Sequence, residues 1–515
     1  MAELNKLSAS DVARGIAAKK FTAEAVVRDC LDRIAEREPT VHAWAAIDPD
    51  YALTQARALD RMPSSRGALH GVPIGVKDII ATEHLPTEMG SPLYKGHRTH
   101  GDAACVALAR MAGAVILGKT VTAEFAGMFP GPTANPHNPA HTPGGSSQGS
   151  AASVADFHVP IGVKDIINTE HLPTEMGSPL YKGHRSHGDA ACVALARMAG
   201  AVILGKTVTA EFAGMFPGPT ANPHNPEHTP GGSSSGSAAA VADFMVPVAY
   251  GTQTGGSVLR PAAFCGCIGY KPTFNLINRQ GICFAAETLD TIGLLARTID
   301  DAELVTSVLI NKPPAYLKHD SAPRLGLCRT PLWDTADDTT KHAVEDAAKR
   351  LAAAGASVKE IVLPDEFEKL YYTARETINN YERSKSMAAD WQHHPDKISK
   401  VLGDRVKQGF AMKHEDYVAA LQLADRCRAR IDDAYDGIDA IISPCVKGEA
   451  LKGLSHTGEP AFQQFWTVLN GPAMSLPTHT GPQGLPVGIQ LVAPRYRDDQ
   501  LFACARWVME RLAAV

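Results

Sequence analysis

Residues 73–159 and 160–246 are one stretch of chain written twice. Aligned without a gap, the two copies differ at six positions: Ala81/Asn168, Thr99/Ser186, Ala140/Glu227, Gln148/Ser235, Ser153/Ala240 and His158/Met245. No other feature constrains the fold as strongly, because any element order encoded by one copy is encoded by the other. The 87-residue period lies outside the roughly 20–50 residues of stacked repeat arrays, which also need about three or more units. Each copy carries an apolar run with a lysine (PIGVKDII), an alanine-rich helical stretch (DAACVALARMAGA), a strand-like run (VILGKT), a Pro/Asn loop and a Gly/Ser turn. That is half a domain. An in-frame tandem duplication accounts for it, since the joint HVP at Pro160 matches both the GVP before the first copy and the MVP that closes the second. The expected organisation is an N-terminal helical segment (1–72), a first copy that is extra (73–159), and the remainder of the domain (160–515) including the second copy (160–246).

The helical segment opens with Ser8 and Asp11 spaced as a capping box. Thr22 stands where an N-cap belongs, ahead of Val26, Val27, Cys30, Leu31 and Ile34 at helical spacing. Beyond the repeat, strand-like runs at Leu325–Cys328, Ala440–Ser443 and Pro486–Val492 alternate with helical stretches at about 340–354, 366–392 and 415–434. Such alternation predicts an α/β fold, a central mixed β-sheet covered on both faces by helices.

Composition removes several function classes. With 44% apolar and 20% charged residues the chain can build a large core, and a net charge of −5 provides no basic footprint for nucleic acid or an anionic membrane. No run of about 18 apolar residues and no leader-like start is present, so the expected location is the cytoplasm. The ten cysteines are scattered, and Cys265 and Cys267 are too close for a zinc knuckle. Reduced, mostly buried thiols are expected, with no metal.

Two Gly/Ser turns stand out, Gly231-Gly232-Ser233-Ser234-Ser235-Gly236-Ser237 and Gly251-Thr252-Gln253-Thr254-Gly255-Gly256-Ser257. Neither has the spacing of a phosphate-binding loop or a dinucleotide site, so no cofactor is expected. Free backbone N–H groups beside a nucleophile do make an oxyanion hole. Taken in order, GVPIGVKDII, GGSSSGSAAAVA, GTQTGGSVLRPAAFCG, LDTIGLLAR and GLPVGIQLVA resemble the amidase-signature family of serine hydrolases, and its malonamidase-like members in particular. Lys164 precedes Ser233 by 69 residues, and Ser233 precedes Ser257 by 24, as in that family.

The resemblance implies the roles. Ser257 is the nucleophile, Ser233 relays the proton from behind a cis peptide bond, and Lys164, or its duplicate Lys77, is the final base. Backbone N–H groups of Thr254, Gly255, Gly256 and Ser257 would hold the oxyanion, each donor contributing about 2.7–4 kcal/mol. An apolar run around the lysine suits this chemistry, because desolvation favours the neutral amine. Arg260, three residues after Ser257, is open to two readings, a structural salt bridge or a receiver for a substrate carboxylate. Asp165 either orients the lysine or holds a turn, with the turn preferred, and Asp290 is expected to anchor hydrogen bonds. His224 and His228 lie in a loop and suit a substrate mouth better than a metal. Phe465 and Trp466 read as core.

The expected activity is hydrolysis of a small carboxamide to carboxylate and ammonia through an acyl-enzyme on Ser257. The alternatives are the glutaminase (A) subunit of a tRNA-dependent amidotransferase, or an inactive product of the duplication. The expected partners are a small-molecule amide and a second copy of the chain in a homodimer, without nucleic acid or membrane. Only the second copy leads without interruption to Ser257, which favours Lys164. The residue 24 beyond Ser146, the first copy's relay candidate, is Glu170.

Overall fold

The computed structural model describes residues 4–7, 9–127, 129, 131–134, 146–154, 160–199, 201–319 and 321–512. They divide into two units, Met1–Pro160 with Gly200–Val202, and Ile161–Ala199 with Ile203–Val515.

The first unit comprises α1 (Ala9–Ala17), α2 (Ala23–Val41), β1 (Trp44–Ile47), α3 (Pro49–Asp60), β2 (Pro73–Lys77), α4 (Ala104–Met111), β3 (Val115–Thr120) and α5 (Gln148–Val154). Thr22 caps α2 as expected, its side chain accepting from the Ala25 amide. Ser8 of the expected capping box lies outside the described residues. Asp48 caps α3, and Pro49 occupies the first turn, where its missing N–H costs nothing. The three strands lie in the order β1-β3-β2, with β2 parallel to β3 and β1 antiparallel on its other side, Trp44 opposite Thr120 and Ile47 opposite Gly118. Val26, Val27, Cys30, Leu53 and Leu59 from α2 and α3 are buried in one cluster with Val115 and Leu117 of β3. Gln55 of α3 brackets Ile116, donating to its carbonyl (3.1 Å) and accepting from its amide (3.2 Å).

The helical segment therefore packs with the first copy, the one expected to be extra. Continuity supplies the reason. The amides of Leu69 and Gly71 donate to the carbonyls of Ala112 and Gly113 (3.0 and 2.9 Å), so the chain leaves the helices already stitched to the first copy and runs directly into β2.

The second unit holds a ten-stranded sheet in the order β10-β9-β11-β13-β12-β7-β8-β6-β4-β5. Its strands are β4 (Pro160–Lys164), β5 (Val202–Thr207), β6 (Val248–Gln253), β7 (Ile268–Lys271), β8 (Thr291–Ala296), β9 (Arg324–Leu327), β10 (Ser357–Glu360), β11 (Ala440–Pro444), β12 (Ala473–Thr480) and β13 (Pro486–Val492). Directions are mixed, as predicted: β4 runs parallel to β6, while β6, β8, β7, β12 and β13 are successively antiparallel. Helices α6 (Ala191–Met198), α7 (Ser235–Ala242), α8 (Leu259–Cys265), α9 (Ile299–Leu309), α10 (Asp338–Ala353), α11 (Asp365–Lys369), α12 (Arg375–Ser386), α13 (Ala388–His393), α14 (Lys400–Ala411), α15 (His414–Arg430), α16 (Ala461–Val468) and α17 (Asp498–Leu512) flank it.

The single helix expected over 366–392 is broken. A π-helical turn, Leu370–Ala374, separates α11 from α12, and Met387 separates α12 from α13. Phe465 and Trp466 are core, as read, and the Trp466 indole donates to Ser443 Oγ (2.9 Å). Most cysteines are buried, and no disulfide joins the described residues. Among the described residues no helix is long and apolar enough to cross a membrane.

Candidate active site

β4 ends on Lys164, whose side chain is wholly buried. Its Nζ lies 2.7 Å from Ser233 Oγ and 2.8 Å from Thr252 Oγ1, with the Thr252 carbonyl at 3.4 Å. Burial brings its pKa down to about 7; the Asp290 carboxylate opposes that shift and the Arg383 guanidinium reinforces it.

Ser233 follows Gly231 and Gly232, which take φ of +79° and +59°. These two positive φ values turn the chain, and every peptide bond among the described residues is trans, so the cis bond implied by the resemblance is not formed. Gly232 also permits a close approach, since a Cβ there would stand 2.6 Å from Pro261 Cδ and 3.3 Å from Ser257 Cα. The Gly231–Ser233 turn thus abuts the turn that carries Ser257, and the Ser234 amide donates to the Ser257 carbonyl (3.3 Å). No hydrogen bond joins the hydroxyls of Ser233 and Ser257 among the described residues. Lys164 is thus hydrogen-bonded to Ser233, while the Ser233 and Ser257 hydroxyls stand apart.

Ser257 stands at the entry to α8. Gln253 Oε1 accepts from the amides of Val258 and Leu259 (both 3.0 Å), filling two of the donors a helix start leaves unmet, and its Nε2 donates to Thr467 Oγ1 (2.9 Å). Thr254, Gly255, Gly256, Ser257 and Arg260 line a cavity together with Asn379 and Arg383 of α12, Arg405 of α14 and Gln464 of α16. A Cβ on Gly256 would stand 2.7 Å from Gln463 Oε1, so this turn needs glycine to lie against α16.

The flanking residues sort themselves. Asp290 anchors hydrogen bonds, accepting from the Thr254 hydroxyl and from the amides of Ala285 (2.6 Å) and Ala286 (3.1 Å). Asp165 accepts from the Glu175 amide (3.1 Å) and pairs with Lys206 (3.2 Å), holding the turn after β4. Arg260 makes no salt bridge with a described residue, and its buried Nε and Nη1 have no hydrogen-bond partner. Burial draws its pKa down to about 9. The Glu459 charge opposes that shift, and the two unpartnered nitrogens leave Arg260 with donors to spare in the cavity lining. Arg383 is similar: its Nη1 donates to the Phe212 carbonyl (3.2 Å) while its buried Nε is unpartnered.

His224 and His228 do not line the cavity. His224 Nε2 lies 2.9 Å from the Cys265 carbonyl and His228 is buried, where a substrate mouth was expected. Among the described residues no group of three or more His, Cys, Asp or Glu is placed to hold a metal. Thr252, Asn379, Arg383 and Arg405 went unread in the sequence. Thr252 was signalled only by its place in the Gly251–Ser257 turn, and the others sit on helices with no local motif.

The first unit repeats half of this arrangement. Lys77 Nζ donates to Ser146 Oγ at 3.0 Å, and burial lowers the pKa of Lys77, but no Gly-Gly-Ser nucleophile turn follows in that unit.

The amidase family model matches residues 25–159 and again 156–502, restarting at the repeat. The A subunit of a glutamyl-tRNA(Gln) amidotransferase from Acidothermus cellulolyticus is 30% identical, covering 98% of this chain and 94% of that protein. Its counterpart from Pseudomonas fluorescens is 27% identical over 98% of this chain and 96% of its own length. Among solved structures, a chain from a vestigial protein complex tied to the origins of an s-triazine catabolic enzyme matches with a TM-score of 0.64 at 22% identity, covering 98% of both, a likeness of fold. The two curated relatives are amidotransferase subunits where the sequence reading pointed to malonamidase. They also overturn the expected partners. Proteins named as subunits of an enzyme for glutamyl-tRNA(Gln) do not support a self-contained homodimer with a small amide alone and no nucleic acid. Matched by the family model over most of its length, and by such a relative from end to end, the chain belongs to the amidase family of hydrolases acting on amide C–N bonds.

Proposed function

We propose that the chain is the amide-cleaving subunit of a tRNA-dependent amidotransferase, releasing ammonia from a carboxamide donor at Ser257 for transfer by partner subunits. The observation that carries this reading is Lys164, buried, 2.7 Å from Ser233 and with its pKa lowered to about 7, beside a cavity that contains Ser257 and unpaired arginine nitrogens. Neutral Lys164 takes the Ser233 proton as Ser233 takes that of Ser257, and Ser257 Oγ bonds to the amide carbon. The oxyanion is met by the N–H groups of the Thr254–Ser257 turn. The proton returns through Ser233 to the departing nitrogen, the C–N bond breaks, and ammonia leaves an ester on Ser257. Water, activated by the same relay, hydrolyses the ester to a carboxylate and restores the serine.

A donor with a carboxylate of its own, such as glutamine, suits Arg260 and Arg383, and the 30% identity to an amidotransferase A subunit over 98% of the chain supports the same donor class. The test is ammonia release from glutamine by the purified chain, alone and with the other amidotransferase subunits and glutamyl-tRNA. The reading expects the partners to raise glutamine turnover by a large factor. Simple amides turned over as fast as glutamine, with no response to the partners, would make the chain a stand-alone amidase.

A further inference from the structure

The duplication supplies an internal comparison, because the run VILGKT forms β3 in one unit and β5 in the other. β3 is the middle strand of its sheet and β5 is an edge. Leu117 in β3 is 2% exposed and its twin Leu204 in β5 is 49% exposed. A Cβ on Gly118 would meet the Ala46 carbonyl at 2.5 Å and the Trp44 ring at 2.9 Å, whereas a Cβ on its twin Gly205 meets nothing within 4 Å. Arg110 pairs with Asp102 (2.6 Å) and also donates to Gln55 (2.6 Å); its twin Arg197 keeps the pair with Asp189 (2.8 Å). Among the described residues no side chain takes the place of Gln55 there. Among the described residues, no strand or helix of the second unit fills the face that β1 and α3 fill in the first.

We propose that the β5 edge is the docking site for an extended strand followed by a helix, supplied by a partner polypeptide. The occupied twin defines the chemistry: an antiparallel strand opposite Gly205–Thr207, an aromatic ring over Gly205, and a helix presenting a carboxamide to Ile203 and Arg197. Strand addition of this kind draws affinity from main-chain hydrogen bonds and selectivity from alternate side chains. The occupant is a different polypeptide, because each copy of this chain has its own such segment committed to β3, where α2 and α3 share a buried cluster with Val115 and Leu117. In a second copy the β1–α3 segment is likewise already paired with its own β3. The inference rests on the edge geometry and stands apart from the catalytic reading.

The test uses the full chain and a fluorescent peptide spanning Ala43–Asp60 as the probe. Anisotropy should report saturable binding, and amide exchange in Ile203–Thr207 should slow on addition of peptide. Gly205→Val fits the open edge yet places a side chain where the twin strand would lie, and should weaken peptide binding at least tenfold while leaving ammonia release unchanged. Leu204→Lys, on an exposed side chain, should do the same and serves if the valine variant misfolds. The chain should remain a monomer by light scattering. The proposal is overturned if the peptide does not bind, if both variants bind it as tightly as the parent, or if the parent is a dimer that Gly205→Val dissociates, which would make a second copy the occupant.

Discussion

Replacing Lys164 by Met, with Lys77→Met as its counterpart, tests both the identity of the base and the copy that supplies it. With a pKa of about 7, Lys164 is about half neutral at pH 7, whereas an ordinary lysine near 10.4 would be only about 0.04% neutral. Burial therefore raises the population of competent base by roughly a thousandfold at neutral pH. Protonated Lys164 cannot accept the Ser233 proton, so the rate should climb about tenfold per pH unit below pH 6 and level off above about pH 8. Positioned bases contribute about 10²- to 10⁴-fold, and Lys164→Met should cost at least that much and flatten the profile. Lys77→Met should leave kcat/KM within about twofold, because the Lys77–Ser146 pair has no nucleophile turn to serve. Ammonia release measured in a coupled assay from pH 5 to 10 gives all three curves. A parent profile flat from pH 6 to 9, or a larger loss from Lys77→Met than from Lys164→Met, refutes the assignment.

Ser257→Ala should abolish labelling by a fluorophosphonate probe, and Ser233→Ala should leave a small residual rate because water partly replaces a relay; equal and total loss in both would reverse the division of roles. Asp290→Ala strips the acceptor from the Ala285 and Ala286 amides and the Thr254 hydroxyl; at about 1–3 kcal/mol for each buried group left unsatisfied, urea unfolding should show a loss of at least about 2 kcal/mol, and a smaller shift would deny the anchor. Arg383→Gln should raise KM for a carboxylate-bearing amide at least tenfold and leave that for its neutral analogue nearly unchanged; equal effects on the two would remove Arg383 from substrate recognition.

The parts of this molecule legible in its sequence are those set by local chemistry. Thr22 caps α2 and the strand at Pro486–Val492 falls where its apolar run lies, whereas the meeting of Lys164 and Ser233, 69 residues apart, was legible only through the family resemblance. What escaped reading depends on distant partners. The π turn at Leu370–Ala374 interrupts a stretch whose helical pattern is continuous in sequence, and Arg383 and Arg405 reach the cavity through the packing of α12 and α14. The pairing of β1 is the clearest case. β3 and β5 have identical sequences, so no propensity can tell them apart. Closure entropy scarcely does so either, at about 0.6 kcal/mol per doubling of loop length. Only the covalent lead through Leu69–Val72 distinguishes them.

That pairing also has a consequence in time. A ribosome adds roughly 5–20 residues per second and N-terminal elements fold first, so the 87 residues separating β3 from β5 correspond to about 4–17 seconds of synthesis. Strand pairing of the hairpin kind takes microseconds. β3 is therefore available to β1 for seconds before β5 has been made. Chains diluted from denaturant face both strands at once, and this protein is therefore one whose refolded population can differ from the one made in the cell, although every peptide bond is the same.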